Sequence, residues 1–139
     1  MATYRCASCG AVSRVTTGRG GDPACPRCRS ALDVTGAAQT IDAAALVSVI
    51  SSSPVPVLVG FAAPGENAGA ALDDLATECA GAVVCLRVDT SAEPAAAAAY
   101  GIVELPTLVL FSGGTELGRL PARLPRRDIA RWMAVAQGA

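Results

Sequence analysis

Apolar residues along this chain follow two different spacings, and each spacing predicts a different element. Two runs rich in β-branched residues, Val55–Phe61 and Val83–Val88, have the nearly continuous apolar pattern of strands that are buried on both faces. A third run follows Pro106 and ends at Phe111. The Ser-Gly-Gly-Thr segment after it predicts a hairpin turn, with a return strand over Glu116–Leu120.

Between these strands, apolar residues recur at the spacing of amphipathic helices. We predict a helix capped by Thr40, a helix over 68–80 that Gly81 ends, a short helix after Pro94 and a last helix over 124–137. The alternation of strand and helix predicts a parallel βαβ core with a right-handed crossover. The residues expected to face the core are Ile41, Ala45, Leu46, Val49, Ile50, Leu72, Leu75, Ala76, Cys79, Ile129, Trp132, Met133 and Ala136.

Composition limits the classes of function that this pattern could serve. A chain of 139 residues makes about one domain, with room for a small appendage. All eleven basic residues are arginine, and there is no histidine to act as a general base or metal ligand. The net charge of −1 argues against electrostatic attraction of the whole protein to nucleic acid or to a membrane. The absence of a signal-peptide run or a long apolar stretch predicts a soluble cytoplasmic protein.

Six cysteines in a cytoplasmic chain are expected to be metal ligands or redox groups rather than disulfides. Four of them form two C-x-x-C pairs, Cys6 with Cys9 and Cys25 with Cys28. Each pair places two thiolates on one tight turn, and two such turns make the tetrahedral four-sulfur site that Zn²⁺ prefers. The spacing therefore predicts one structural zinc ion, bound by these four cysteines.

The predicted zinc ribbon covers residues 1–33, with a short extended run around Val12–Thr17 and a hairpin tip at 18–21. Residues 34–39 would then be a linker and residues 40–139 a second domain, and one short strand is expected around Leu32–Val34, where the ribbon passes into the linker. The site could be structural, redox-sensing or nucleic-acid-binding. We favour a structural role because four thiolates leave no open coordination position. Nucleic-acid binding is not expected, because a four-thiolate zinc centre offsets the nearby arginines and no set of aromatic residues accompanies them.

Several motifs of the second domain resemble those of the thioredoxin family. Tyr100-Gly101-Ile102 followed by Leu105-Pro106-Thr107-Leu108 looks like the family's Tyr-Gly-Ile and Ile-Pro-Thr-Leu signature. Phe111-Ser-Gly-Gly and the strand that ends in Phe61 before Ala63-Pro64 also match. The resemblance covers about residues 38–137, and the N-terminal ribbon is similar to that of a bacterial thioredoxin subclass. It implies an α/β thioredoxin fold, in which helices flank a central mixed sheet, with a small N-terminal zinc ribbon.

The resemblance also implies that Leu105–Pro106 is a cis peptide bond and that it shapes a groove in which an extended substrate segment pairs with the backbone. The alternative is a trans proline that simply begins an edge strand. The predicted peptide groove consists of Pro64, Gly65, Glu66, Asn67, Leu105, Pro106 and Thr107.

This sequence departs from the family where the family's chemistry lies. Thioredoxin chemistry needs a low-pKa thiolate at a helix N-terminus and a resolving cysteine three residues later, yet no cysteine occurs between Cys28 and Cys79. Counted from Phe61, the nucleophile position falls on Glu66 and the resolving position on Gly69, while Gly60 stands where the family has a buried acid. The segment that follows Phe61 is also about one helical turn shorter than its family counterpart.

We therefore predict a redox-inactive, non-enzymatic thioredoxin-like module that binds a protein or peptide segment. The alternative is a thiol-disulfide redox protein or redox sensor that acts through the zinc cysteines or Cys79. A purely structural subunit of a larger assembly is a third possibility, and the sequence does not fix the oligomeric state. Cys79 and Cys85 are expected to be inert, because neither is placed at a helix N-terminus. Glu66 is expected only to complement the dipole of the helix that it precedes.

Overall fold

The computed structural model describes residues 2–15, 23–63, 69–121 and 124–137. A two-stranded antiparallel sheet comes first, and a five-stranded mixed sheet with four helices follows it. The elements are β1 (Ala2–Arg5), β2 (Val12–Val15), β3 (Gln39–Thr40), α1 (Ala43–Ser52), β4 (Val57–Ala62), α2 (Gly69–Glu78), β5 (Val84–Asp89), α3 (Pro94–Ala99), β6 (Thr107–Ser112), β7 (Thr115–Pro121) and α4 (Arg126–Ala136).

The larger sheet has the strand order β3-β5-β4-β6-β7. Strands β3, β5 and β4 are parallel to one another, whereas β6 is antiparallel to both β4 and β7. The predicted parallel βαβ unit is therefore present as β4-α2-β5. The mixed sheet flanked by helices that the family resemblance implies is confirmed.

Side chains alternate between the two faces of the central strands, and both faces are covered by helices. In β4, Val57, Val59 and Phe61 pack beneath α1 and α3, whereas Leu58 packs against α2 and α4. This double coverage explains the nearly continuous apolar runs, because every position of such a strand is removed from water. Each large aliphatic side chain buried in this way contributes on the order of 1.5–3 kcal/mol.

Most of the predicted core faces are confirmed. Leu46, Val49 and Ile50 are buried in α1, and Ile129 and Met133 are buried in α4. The N-terminus of α1, however, was predicted wrongly. Thr40 belongs to β3, and α1 is capped instead by Asp42, whose carboxylate accepts a hydrogen bond of 2.7 Å from the N–H of Ala45.

The segment before β3 also differs from the prediction. No strand forms at 32–34, where Leu32 is buried among residues of the cysteine module. Asp33 instead accepts hydrogen bonds from the backbone N–H and the hydroxyl of Thr35, at 2.9 and 2.7 Å. This local turn gives the backbone an alternative to strand pairing. The predicted hairpin tip at 18–21 lies outside the described residues.

The hairpin between β6 and β7 forms as predicted. Gly113 and Gly114 both have positive φ, +60° and +83°, which is the requirement of a tight two-residue turn. Tyr100, which follows the last residue of α3, packs edge-on against Phe111 with ring centroids 5.4 Å apart. None of the helices in the described ranges has the length and apolar character needed to cross a bilayer.

Candidate metal centre and binding segment

The first cysteine turn is closed by two backbone hydrogen bonds. The N–H of Cys6 donates to the C=O of Ala11, and the N–H of Gly10 donates to the C=O of Cys6, both at 2.8 Å. Gly10 has φ of +79°, a conformation that costs glycine little. The glycine after the second cysteine therefore serves the turn geometry that the sequence predicts.

The second cysteine turn repeats this arrangement. Cys25 donates to Ser30 and Arg29 donates to Cys25, again through backbone groups at 2.8 Å. Here the left-handed position, φ +66°, is occupied by Arg29, which is the one residue other than glycine with positive φ among the described residues. A side chain in this conformation costs on the order of 1 kcal/mol, so the second turn retains a strain that the first one avoids.

The two turns bring all four sulfur atoms to within 4.8 Å of one another. The Sγ atoms of Cys6 and Cys28 are 3.6 Å apart, and so are those of Cys9 and Cys25. A tetrahedral site with Zn–S bonds of about 2.3 Å requires sulfur atoms about 3.8 Å apart, so the cluster fits one metal ion. Four sulfur ligands at tetrahedral spacing suit zinc or iron.

Two of the sulfur ligands are buried and two are accessible. Cys6 and Cys25 are each 1% exposed, whereas Cys9 and Cys28 lie at the surface. Hydrogen bonds from the hydroxyl and the backbone of Ser30 lower the pKa of the Cys28 thiol to about 6. A backbone hydrogen bond acts to lower the pKa of Cys9, but burial and the neighbouring thiols outweigh it and raise the pKa to about 11. Metal binding must therefore displace protons from this cluster.

The cysteine module is docked on the larger sheet through β1. The N–H of Thr3 donates to the C=O of Gly81 at 2.9 Å, and the side-chain amide of Gln39 donates to the C=O of Arg5 at 3.0 Å. The Arg5 guanidinium donates in return to the Gln39 amide oxygen. Gly81 has φ of +86°, and a Cβ there would lie 2.7 Å from the Cβ of Ala2. Close approach of β1 to the end of α2 therefore requires glycine at this position.

The predicted binding segment lies at the start of β6. The Leu105–Pro106 peptide bond is cis, as the family resemblance implies. Pro106 and Thr107 are buried, Leu105 is half-buried, and the hydroxyl of Thr107 donates to the C=O of Glu104 at 2.6 Å. Within the described part of the chain, the N–H and C=O of Leu105 have no backbone hydrogen-bond partner. The other predicted groove residues, Pro64, Gly65, Glu66 and Asn67, lie outside the described residues.

A cleft of about 120 Å³ opens beside this segment, between the loop before β6 and the end of β7. The sequence alone gave no reason to select its rim, where Val103 is 92% exposed and Glu104 is also exposed. The lining residues are Ile102, Val103, Glu104, Thr107, Arg119, Leu120 and Pro121.

A leucine side chain fills the space above Gly60, which stands where the family has a buried acid. Gly60 is buried in β4, and a Cβ built on it would lie 2.8 Å from Cδ2 of Leu72 and 3.4 Å from Cδ2 of Leu108. Leu72 itself is 1% exposed. A carboxylate at residue 60 would have to displace this side chain, and an unpaired carboxylate in such surroundings is costly.

The remaining two cysteines are free thiols with raised pKa values. Cys85 is 4% exposed in β5, and burial raises its pKa to about 12. Cys79 follows the last residue of α2, and burial, together with the charge of Glu78, raises its pKa. Both positions agree with the expectation that these thiols are inert, because the thiolate is the reactive form.

Comparison with known proteins places residues 37–135 in one family, because they match the family model described as Thioredoxin. The chain is 30% identical over 102 residues to Thioredoxin 1 of Nostoc sp., covering 70% of this chain and 94% of that protein. It is 33% identical over 133 residues to Thioredoxin M4, chloroplastic, of Arabidopsis thaliana, covering 90% of this chain and 66% of the relative. Among solved structures, a designed protein superposes on this chain with a TM-score of 0.62 at 24% sequence identity. The superposition covers 74% of this chain and 99% of the designed protein, and it shows similarity of fold alone.

Proposed function

The chain belongs to the thioredoxin family, and we propose that within this family it is a redox-inactive member that binds a protein or peptide segment. The observation that carries the proposal is the missing dithiol, because no cysteine occurs between Cys28 and Cys79. Disulfide exchange in this fold would need two cysteines in the segment that joins β4 to α2.

The cysteines of the thioredoxin-like part do not supply a substitute. Burial raises the pKa of Cys85 to about 12, so this group is held as the thiol at neutral pH. Cys79 is also held as the thiol, and it lies at the C-terminal end of α2, where the helix dipole disfavours an anion. The closure of the space above Gly60 by Leu72 supports the same conclusion, since the family's buried acid has no counterpart there.

The dithiol is missing, but the proposed binding segment at Leu105–Thr107 has the cis proline that the family resemblance implies. The backbone N–H and C=O of Leu105, which have no backbone partner in the described part of the chain, can pair with an extended chain, and this mode of recognition is known as strand addition. The buried Pro106 and Thr107 hold this segment against the sheet. We propose that the Pro64–Asn67 loop completes the groove, as the family resemblance implies.

We also propose that Cys6, Cys9, Cys25 and Cys28 hold one structural Zn²⁺ in an N-terminal ribbon. Four thiolates would provide a closed tetrahedral shell, and the sulfur spacing of 3.6 Å supports it. The ion would act as a crosslink between the two turns. Two further statements stay predictions. One is the division into a ribbon at 1–33, a linker at 34–39 and a thioredoxin-like domain at 40–139, and the other is the cytoplasmic location.

The proposal is tested by measuring reduction of insulin disulfides by the zinc-loaded protein, with a dithiol thioredoxin as positive control. We expect a rate equal to that of buffer with dithiothreitol, and turnover like that of the control would refute redox inactivity. Binding is tested by affinity capture from the native cell. A defined protein should be retained by the wild type and by Arg127→Gln, a matched surface variant on α4, but not by Pro106→Ala.

The second candidate is a redox role for the ribbon cysteines, and the exposure of Cys9 and Cys28 favours it. In that case two thiolates would form one disulfide, and their two electrons with two protons would reduce peroxide to two waters. Zinc would then be released, because a disulfide no longer binds it. Counting zinc and free thiols before and after exposure to physiological peroxide separates the candidates, since unchanged zinc content excludes this redox role.

A further inference from the structure

The cleft beside Leu105 has the dimensions and lining of a side-chain subsite. Its volume of about 120 Å³ is well above the roughly 15 Å³ that a single bound water needs. Ile102 and Leu120 are half-buried in its lining, and Val103 leaves an apolar surface at its rim. An apolar side chain inserted here would cover these surfaces, and its backbone would run along the 102–107 segment, where the N–H and C=O of Leu105 have no backbone partner among the described residues.

Among the described residues that line the cleft, the charge is negative because the one cation, Arg119, is already engaged. The Arg119 guanidinium donates to both carboxylate oxygens of Glu116 at 2.8 and 2.9 Å. It also donates to the C=O of Tyr100 at 2.8 Å and to the C=O of Gly101 at 3.1 Å. The carboxylate of Glu104 is exposed at the rim and has no ion-pair partner within the described residues.

The surrounding domain has the same sign of charge. Residues 34–139 contain ten acidic residues and six arginines. A cationic partner would therefore be attracted over a distance comparable with the Debye length as well as at contact.

On this basis we propose that the segment around Leu105 selects an extended peptide in which lysine or arginine stands two residues after an apolar residue, so that both side chains lie on the same face of the extended chain. The apolar side chain enters the cleft, and the basic side chain pairs with Glu104. This inference rests on the proposed binding function and specifies the class of partner. Acidic segments are disfavoured because they place like charges side by side.

The test uses the full-length zinc-loaded protein and a library of acetylated, cysteine-free heptapeptides. Each peptide has valine at its centre, and the residue two positions after the valine is varied through all types except cysteine. Binding is followed by ¹⁵N–¹H NMR, so that the shifts of individual amides locate the site. We expect shifts of the amide signals of Val103, Glu104 and Leu105. Peptides with arginine or lysine at the varied position should bind about two- to fivefold more tightly than the peptide with glutamate, which is the gain that an exposed ion pair provides.

Two variants distinguish a specific pair from the general charge of the domain. Glu104→Gln should abolish the preference for basic peptides, whereas Asp74→Asn, which removes one exposed carboxylate from α2, should leave it unchanged. Equal affinity for basic and acidic peptides at the same amides would overturn the inference and leave the binding function standing. If no peptide of the library shifts these amides at millimolar concentration, the inference and the binding function both fail.

Discussion

Replacing Gly60 with alanine should destabilise the fold, because the added methyl group would lie 2.8 Å from Cδ2 of Leu72. Forcing an extra carbon into a packed core costs about 1–3 kcal/mol. The loss of unfolded-chain entropy that alanine brings offsets about 0.4–1 kcal/mol of this. We therefore expect Gly60→Ala to lower the free energy of unfolding by roughly 0.5–2 kcal/mol.

The cause can be isolated by a double-mutant cycle with Leu72→Ala. Alone, Leu72→Ala should cost about 2–5 kcal/mol, because this side chain is 1% exposed and its truncation leaves a cavity. In the double variant the methyl group at residue 60 can occupy part of that cavity, so the two costs should not add. We expect a favourable coupling energy of about 1 kcal/mol or more.

The assay is urea unfolding of the zinc-loaded protein, followed by the fluorescence of Trp132, the only tryptophan of the chain. Trp132 packs against Gly118 of β7, so its signal reports on the sheet and on α4 together. Val49→Ala, on the opposite face of the sheet, provides a matched control that should add to Gly60→Ala within about 0.5 kcal/mol. Additivity of Gly60→Ala with Leu72→Ala within the same limit would refute the proposed contact.

Three further predictions concern the cysteine module and β7. Elemental analysis should find one zinc per chain, and iron in place of zinc would refute the assignment. The affinity of the protein for zinc should fall as the pH decreases, because protons compete with the metal for the thiolates. Arg29→Gly relieves a positive φ but adds unfolded-chain entropy, so it should stabilise the second cysteine turn by less than about 1 kcal/mol. Gly10→Ala should destabilise the first turn, because it imposes a positive φ on a side chain. Zinc competition with a chromogenic chelator measures both effects. Hydrogen bonds from Arg119 lower the pKa of Glu116 in the folded protein. The pair therefore stabilises the fold at pH values above the unfolded pKa of about 4.3. This stabilisation is lost as the pH falls through the lower pKa of the folded protein. Urea unfolding between pH 6 and pH 3 should therefore show a smaller loss of stability for Glu116→Gln, and an unchanged loss would contradict the pairing.

Local sequence patterns were sufficient for the elements whose cause is local. The continuous apolar runs of β4 and β5 predict strands because a strand covered on both faces must be apolar at every position. Two C-x-x-C pairs predict a four-sulfur cluster because each pair fixes two ligands on one turn. The Gly113-Gly114 pair predicts its hairpin because both positions need positive φ.

Contacts between distant parts of the chain decided the rest. Asp42 caps α1 because Thr40 is taken up by pairing with β5, and Gln39 binds Arg5 only because β1 docks beside β3. The closure of the space above Gly60 by Leu72 depends on where α2 crosses β4. Spacing in the sequence cannot supply these facts, since each one is set by the packing of elements that are remote along the chain and meet only in the folded protein.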